Sequence, residues 1–356
     1  MEKEIGGKFP LSEEQIKGHS RNLPIKGTED FKYSIYTHSG RNALNYFLDT
    51  VYEGKKKVFL PAYTCDTCIN PFIEHNFDVS YYILNKDLKP NIDSFYKSLQ
   101  NASAGGIIYL QSYFGFDTLK NIRELIKNKD TAFTFVEDTT HSWLSSFTKT
   151  NSSYFICSFR KWLEIPDGGA LFSNFDIKEQ MYYYPENEVE VNDYKEASIK
   201  EQMWLKDNSN ITKNDFYPLF KKTASDFSNS ELYKISDCSR LIMENTNFDI
   251  IKEKRVNNCK YLIEHLNNPN VVKIFDCVSN DEIPLYYPVY IKDNNRNVFQ
   301  TYLMSHDIYC PIHWPKSEFV NNLNDEIYNN ILSLVCDQRY GLDDMKRMVD
   351  VINEYK

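Results

Sequence analysis

Three residues near the middle of the chain carry the groups needed for covalent chemistry at an amine. Asp138 and His141 lie in "FVEDTTHS", and Lys161 lies in "CSFRKWLEIPDGGALFSN". Lys161 follows the β-rich run "YFICSF" and precedes a tight "PDGG" turn and a second β-like run, "ALFS". It reads as a lysine on a rigid strand–turn–strand, either a surface charge or a nucleophile held still. Arg160, adjacent on such a strand, is expected to point the other way. Asp138 ends an apolar strand, so its carboxylate is expected to be partly buried and to need a charged or hydrogen-bonding partner. Taken alone, it also suits a cap or turn. Upstream, "HSGRNALNYFLDTV" (38–51) opens a helix: Ser39 is placed to cap it, and Ala43, Leu44, Phe47, Leu48 and Val51 recur at helical spacing. The exposed N–H groups of Gly40, Arg41 and Asn42 serve either an ordinary cap or an anion. Ser158 could donate a further hydrogen bond to the same anion.

One chemistry uses all of these features. Pyridoxal phosphate needs a lysine amine to hold it covalently and a carboxylate to keep its ring nitrogen protonated. It also needs a cradle for its phosphate dianion. The order along the chain is phosphate loop, ring carboxylate, lysine. The separation of 23 positions from Asp138 to Lys161 leaves room for one strand, a connection and a second strand.

These residues need a scaffold, and the flanking sequence supplies one. "KVFLPAYTC" (57–65), "DVSYYIL" (78–84), "GGIIYLQSYFG" (105–115) and "AFTFVEDTTHS" (132–142) read as strands, the first broken by Pro61. "NIDSFYKSLQN" (91–101) and "TLKNIRELIKNK" (118–129) read as the helices between them. Apolar strands alternating with helices predict an α/β domain on a mostly parallel sheet, with ligands beyond the carboxyl ends of its strands. From about 180 to 230 the pattern loosens into charged, Asn- and Tyr-rich helix or loop. Helices at 248–266, 297–306 and 343–355 and strands at 285–292 and 308–314 then predict a smaller α+β unit. The expected division is a large domain over 1–230, with an N-terminal extension, and a small domain over 231–356. In the latter, His313, Trp314 and Arg339 are large polar or aromatic residues beside a predicted strand or turn, and are candidates to face the cleft.

Composition excludes some partners. A net charge of −9 argues against nucleic acid and anionic membranes. No apolar run approaches the roughly 18 residues a membrane span needs, and the N-terminus lacks a signal-peptide core. The cytoplasm is therefore the expected location. Eight scattered cysteines suit a reducing compartment. Cys65 and Cys68 have CxxC spacing without the further ligands of a zinc site, and read as a redox pair or as two small packed residues.

The stretches "SGRNAL", "VFLPAYTC", "FVEDTTHS" and "CSFRKWLEIPDGGALFSN", and more weakly "ISDCSRLIM…KEKRVNNCKYL", resemble the DegT/StrS family of pyridoxal-phosphate sugar aminotransferases. The resemblance covers roughly residues 35–175 well. It implies the type I fold of aspartate aminotransferase and a homodimer. It makes Lys161 the Schiff-base lysine, Asp138 the partner of the ring nitrogen and His141 a contact of the ring's phenolic oxygen. Ser158 and the backbone of Gly40, Arg41 and Asn42 would hold the phosphate. The implied donor is glutamate or glutamine and the implied acceptor a keto-sugar, nucleotide-linked, used in surface polysaccharide or related sugar biosynthesis. The chain departs from the family where Cys65 stands at the position of the ring-stacking aromatic, for which Tyr63 is the substitute. The "GxNxRM" segment is not recognisable, and Asn229 in "DFSNSELYKIS" takes its place. Elimination, dehydration or decarboxylation use the same electron sink, and a cofactor-fold protein without turnover is a further alternative.

Overall fold

A computed structural model describes residues 4–101, 105–126, 132–147, 153–178, 183–206, 210–226 and 231–356. Its short first strand, β1 (Ile5–Gly6), leads to β2 (Tyr33–Thr37) and helix α1 (Gly40–Tyr46), which continues through a π turn, Phe47–Val51. Next come β3 (Lys57–Pro61), α2 (Asp66–Glu74), β4 (Asp78–Tyr82), α3 (Ile92–Asn101), β5 (Gly106–Gln111), α4 (Lys120–Ile126) and β6 (Phe133–Asp138). β7 (Ser153–Ser158) and β8 (Gly169–Ser173) complete a sheet ordered β2-β8-β7-β6-β5-β3-β4. The run from β7 to β4 is parallel, and β8 and β2 pair antiparallel at one edge. The mostly parallel α/β sheet expected from the sequence is therefore present. Every residue of β5 and β8 is buried, as expected of strands covered on both faces.

The chain continues through α5 (Glu188–Leu205), α6 (Lys213–Asp226), α7 (Asp237–Asn245) and α8 (Phe248–His265). The stretch read as loosened helix or loop is thus largely the packed pair α5 and α6, whose Val191, Tyr194, Ala197, Phe216 and Phe220 are buried. The remaining elements are β9 (Val271–Lys273), β10 (Tyr287–Ile291), α9 (Arg296–Met304), β11 (Ile308–Tyr309), α10 (Asp325–Asn330), β12 (Ile331–Leu334) and α11 (Leu342–Glu354). A small antiparallel sheet, β12-β10-β9, carries α8 and α11, which pack on each other. β1 pairs in parallel with β11, so residues 5–6 are joined to the C-terminal part of the chain.

Two local expectations are corrected. Lys161 is not on a strand: β7 ends at Ser158, and Phe159–Lys161 form a single 3-10 turn before β8 returns antiparallel. The strand expected over 308–314 stops at Tyr309, and residues 310–315 run as irregular chain. Pro311 and Pro315 have no N–H to offer a ladder.

The "PDGG" segment is explained by a close approach. The N–H of Gly168 donates to the His38 carbonyl at 2.6 Å. A methyl group at Gly169 would collide with the Ser39 carbonyl group and lie 2.5 Å from the Gly40 nitrogen. The start of α1 therefore lies directly over β8, and only glycine leaves room. Gly169→Ala should destabilise the protein by about 3 kcal/mol through overpacking against backbone, read as a lowered midpoint in urea unfolding with an unchanged m-value.

Candidate active site

Asp138 is the last residue of β6 and is 5 % exposed. The Thr140 N–H donates to its Oδ1 at 2.8 Å, and the Tyr109 hydroxyl to its Oδ2 at 3.0 Å. The Cys68 thiol, from the first turn of α2, lies 3.7 Å from Oδ2. Sheet register explains Tyr109. Gln111 sits opposite Asp138 across β5 and β6, and Tyr109, two residues earlier, shares its face. Among the described residues no cation forms an ion pair with Asp138, so a buried carboxylate is held by neutral donors alone.

The 3-10 turn after β7 sends Lys161 to the same end of the sheet. Its amine is 3.4 Å from His141 Nε2 and 5.5 Å from the centre of the Trp314 ring. His141 is buried, and the Phe114 N–H donates to its Nδ1 at 3.4 Å. Burial first, then the charge of Lys161 and the neighbouring His313, hold His141 well below the ordinary histidine range, so it is a neutral imidazole. Burial and Lys161 likewise push His313 down to about 3.

The C-terminal segment closes over this group. Trp314 stacks on His141 (5.3 Å between centroids, 29° between planes) and packs on Tyr63 at 5.3 Å. His313 contacts Phe114 and Tyr286 and bonds Ser333 Oγ through Nδ1 at 2.8 Å. Tyr63 is fully buried among Tyr113, Trp314 and Tyr328. Thr64 is held by the Tyr328 hydroxyl at 3.0 Å and donates to Gln111 Oε1 at 2.8 Å.

The loop before α1 lies beside Ser158, whose N–H donates to Thr140 Oγ1 at 3.0 Å. A Cβ on Gly40 would be 3.1 Å from the Ser158 Cβ. Ser39 Oγ accepts from the Asn42 N–H and its carbonyl from the Ala43 N–H, an ordinary helix cap. The Asn42 side chain does a different job, bonding the Glu231 carbonyl and the Tyr233 N–H.

Beneath this loop is a buried charge network that sequence reading missed. His38 Nδ1 meets Asp167 at 3.3 Å and Nε2 meets Glu190 at 2.8 Å. Asp167 also accepts from the N–H and hydroxyl of Ser236 and from the hydroxyl of Ser239, at the start of α7. Arg160 belongs to this side, as its sequence position implied: burial pulls it down, and Glu190, Tyr194 and Asp167 oppose that. A histidine before "SG" and an aspartate before "GG" were visible, but nothing in the sequence pairs them.

Two candidates fall elsewhere. Arg339 does not join the group around Lys161. Its guanidinium is bidentate to Asp337 (2.9 and 2.8 Å), bonds the carbonyls of Gly6 and Lys8, and lies over Phe9. It pairs with Asp337 and clamps the N-terminal strand. Asn229 lies outside the described residues. Among the described residues, no cluster of His, Cys, Asp and Glu suits a metal ion and no helix is long and apolar enough to cross a membrane.

A lysine amine, a buried carboxylate and a neutral histidine thus lie together at the carboxyl ends of the parallel strands. No protein-family model and no curated protein sequence matches the chain, but solved structures do. PseC of Helicobacter pylori, an aminotransferase involved in the biosynthesis of pseudoaminic acid, is similar with a TM-score of 0.69 at 13 % identity, over 98 % of each chain. TlmJ, an aminotransferase from Streptoalloteichus hindustanus, has a TM-score of 0.69 at 14 % identity over 98 % of this chain and 97 % of its own. NtdA of Bacillus subtilis, solved with bound cofactor PMP, has a TM-score of 0.65 at 15 % identity over 97 % of this chain and 77 % of its own. The chain has the fold of these aminotransferases.

The His38 network sets a pH limit. Burial alone would lower His38, but the hydrogen bonds and charges of Asp167 and Glu190 outweigh it and raise the imidazole to about 9. The unfolded chain titrates near 6.5, so the stabilisation is complete below that value and drains away as pH rises through about 9. The loss should be on the order of 3 kcal/mol at about 1.4 kcal/mol per unit. Melting temperature should therefore fall between about pH 7 and pH 10, and His38→Gln should start lower and lack most of that slope.

Proposed function

We propose that the protein is a pyridoxal-phosphate-dependent aminotransferase that moves an amino group from glutamate or glutamine to a keto-sugar, nucleotide-linked, in surface polysaccharide or related sugar biosynthesis. The observation that carries this reading is the environment of Asp138. A buried carboxylate with only neutral donors and no counter-ion is costly. A cationic ring N–H in hydrogen-bond range would complete it, and the lysine that would attach such a ring lies at the same end of the sheet. The donor set therefore fits the cofactor. Lys161 would attach it, Asp138 would hold its ring nitrogen, and His141 would meet its phenolic oxygen. Ser158 and the Gly40 and Arg41 N–H groups would take its phosphate, and Asn229 would serve a neighbouring phosphate. The sugar substrate comes from the family resemblance, in keeping with what the PseC structure is described as doing.

When bound, the cofactor supplies an electron sink that makes a C–H bond next to nitrogen acidic. The protein's own groups handle the proton. Released from the cofactor, the Lys161 amine is the base and acid of the 1,3-proton shift. His141 stays neutral beside it and so does not repel its protonated form. Trp314 covers the amine and excludes water on that side. His313 and Trp314 would face the acceptor, and the 1–230 and 231–356 parts would act as cofactor and closing domains. The resemblance further implies a homodimer, and the scattered cysteines suit the cytoplasm.

Borohydride reduction of the cofactor-loaded protein, followed by peptide mapping, should label the peptide that contains Lys161, and a label on another lysine would refute the assignment. Asp138→Asn should fold and bind cofactor yet lose roughly 10³-fold or more in turnover, at about 1.4 kcal/mol per decade. Near-normal rates in that variant would give the ring partner's role to a different carboxylate.

A further inference from the structure

The two cysteines of "YTCDTC" sit at the start of α2, beside Asp138. Cys65 is the N-cap residue, with extended backbone (φ −89°, ψ 147°) and a side chain that makes no capping bond. Cys68 is the third residue of the helix, and its N–H donates to the Cys65 carbonyl at 2.8 Å. Side chains at these two positions reach back across the same turn, the geometry that lets a capping serine and a glutamate three residues on bridge it reciprocally. Both cysteines are partly exposed, whereas Cys157, Cys259, Cys310 and Cys336 are buried. The Cys68 thiol is also one of the donors that reach Asp138 Oδ2.

We propose that Cys65 and Cys68 form a redox-active pair that closes to a disulfide and, in closing, takes a hydrogen-bond donor away from Asp138. The oxidant would be a small dialkyl disulfide. The Cys65 thiolate attacks one of its sulfurs, forming a mixed disulfide and releasing one thiolate. Cys68 then attacks Cys65 Sγ and releases the second. Two protein thiols are oxidised, one disulfide is reduced to two small thiols, and the two S–H protons end on those products. Burial, with the charge of Asp138, pushes Cys68 up to about 12. In the open pair it is therefore a neutral S–H donor, and Cys65 is the first nucleophile.

The S–H···carboxylate contact exists only in the dithiol, so pair and carboxylate are coupled reciprocally. Weakening Asp138 as an acceptor favours the disulfide. Removing its competing donor, Tyr109, strengthens the Cys68 contact and favours the dithiol. Closing the disulfide leaves Asp138 with fewer donors and makes it more basic, which would change its hold on a ring nitrogen. That last consequence rests on the function proposed above, whereas the thiol chemistry does not.

The full-length protein, with and without pyridoxal phosphate, is equilibrated over a series of reduced-to-oxidised glutathione ratios, quenched by alkylation and mapped by mass spectrometry. The peptide holding Cys65 and Cys68 should lose two hydrogens reversibly and escape alkylation. Asp138→Asn should shift the midpoint roughly fivefold towards the disulfide, and Tyr109→Phe should shift it the opposite way, as expected for one hydrogen bond. Two cysteines that stay alkylatable at every ratio would overturn the pair. Midpoints unmoved by either folded variant would overturn the coupling. Failure to bind pyridoxal phosphate would count against the proposed function and leave the thiol result readable.

Discussion

A protonated His38 between two buried carboxylates joins segments that are remote in the sequence. Asp167 comes from the loop before β8, Glu190 from α5, and the serines that also bind Asp167 from α7. One imidazolium cannot balance two carboxylates, and Arg160 on the turn after β7 supplies a second positive charge nearby. Buried charges are tolerated only when matched and hydrogen-bonded, so these segments are committed to one arrangement. That arrangement sets the start of α1 over Gly169 and beside Ser158. Lys161, next in the chain after Arg160, is sent to the opposite side, towards His141. The group around Lys161 and Asp138 is thus positioned from behind by charges that are not part of it.

The front of the site follows a different rule. Among the described residues Asp138 has donors and no ion-pair partner, and His141 and His313 are neutral beside Lys161. Two imidazoles kept uncharged by burial do not repel the lysine beside them. Trp314 lies beside the lysine, stacked on His141 and packed on Tyr63. Burial strengthens each hydrogen bond to Asp138, which is why a thiol contact as weak as that of Cys68 can matter there.

The N-terminal strand is part of the same construction. β1 lies on β11, and Arg339 grips the carbonyls of Gly6 and Lys8 while paired to Asp337. Arg339 looked like a substrate-binding residue because a large cation near a turn has no evident partner in one dimension. Its partners are supplied by the other end of the chain. Its role is to fasten residues 5–9 against the segment that leads to His313 and Trp314.

Local chemistry was legible wherever neighbours in sequence decide the outcome. Alternating apolar strands and helices specify a mostly parallel sheet, because buried parallel strands need apolar residues on both faces. Ser39 caps α1, and Asp138 stands at a strand end, as a hydroxyl before a helix and a carboxylate after an apolar run require. The turn at 159–161, the two-residue length of β11 and the helical packing of 188–226 were not legible, since tertiary contacts override weak local preferences there. Which side chains share a face was also decided only by the fold. Strand register puts Tyr109 under Asp138, and a crossover of some seventy residues brings Cys68 to it. The return of the chain at 313–314 sets Trp314 on His141. The sequence by itself determined which groups were present and in what order. The tertiary structure decided which of them meet, because pairing a buried charge or donor depends on distances in space that spacing along the chain does not encode.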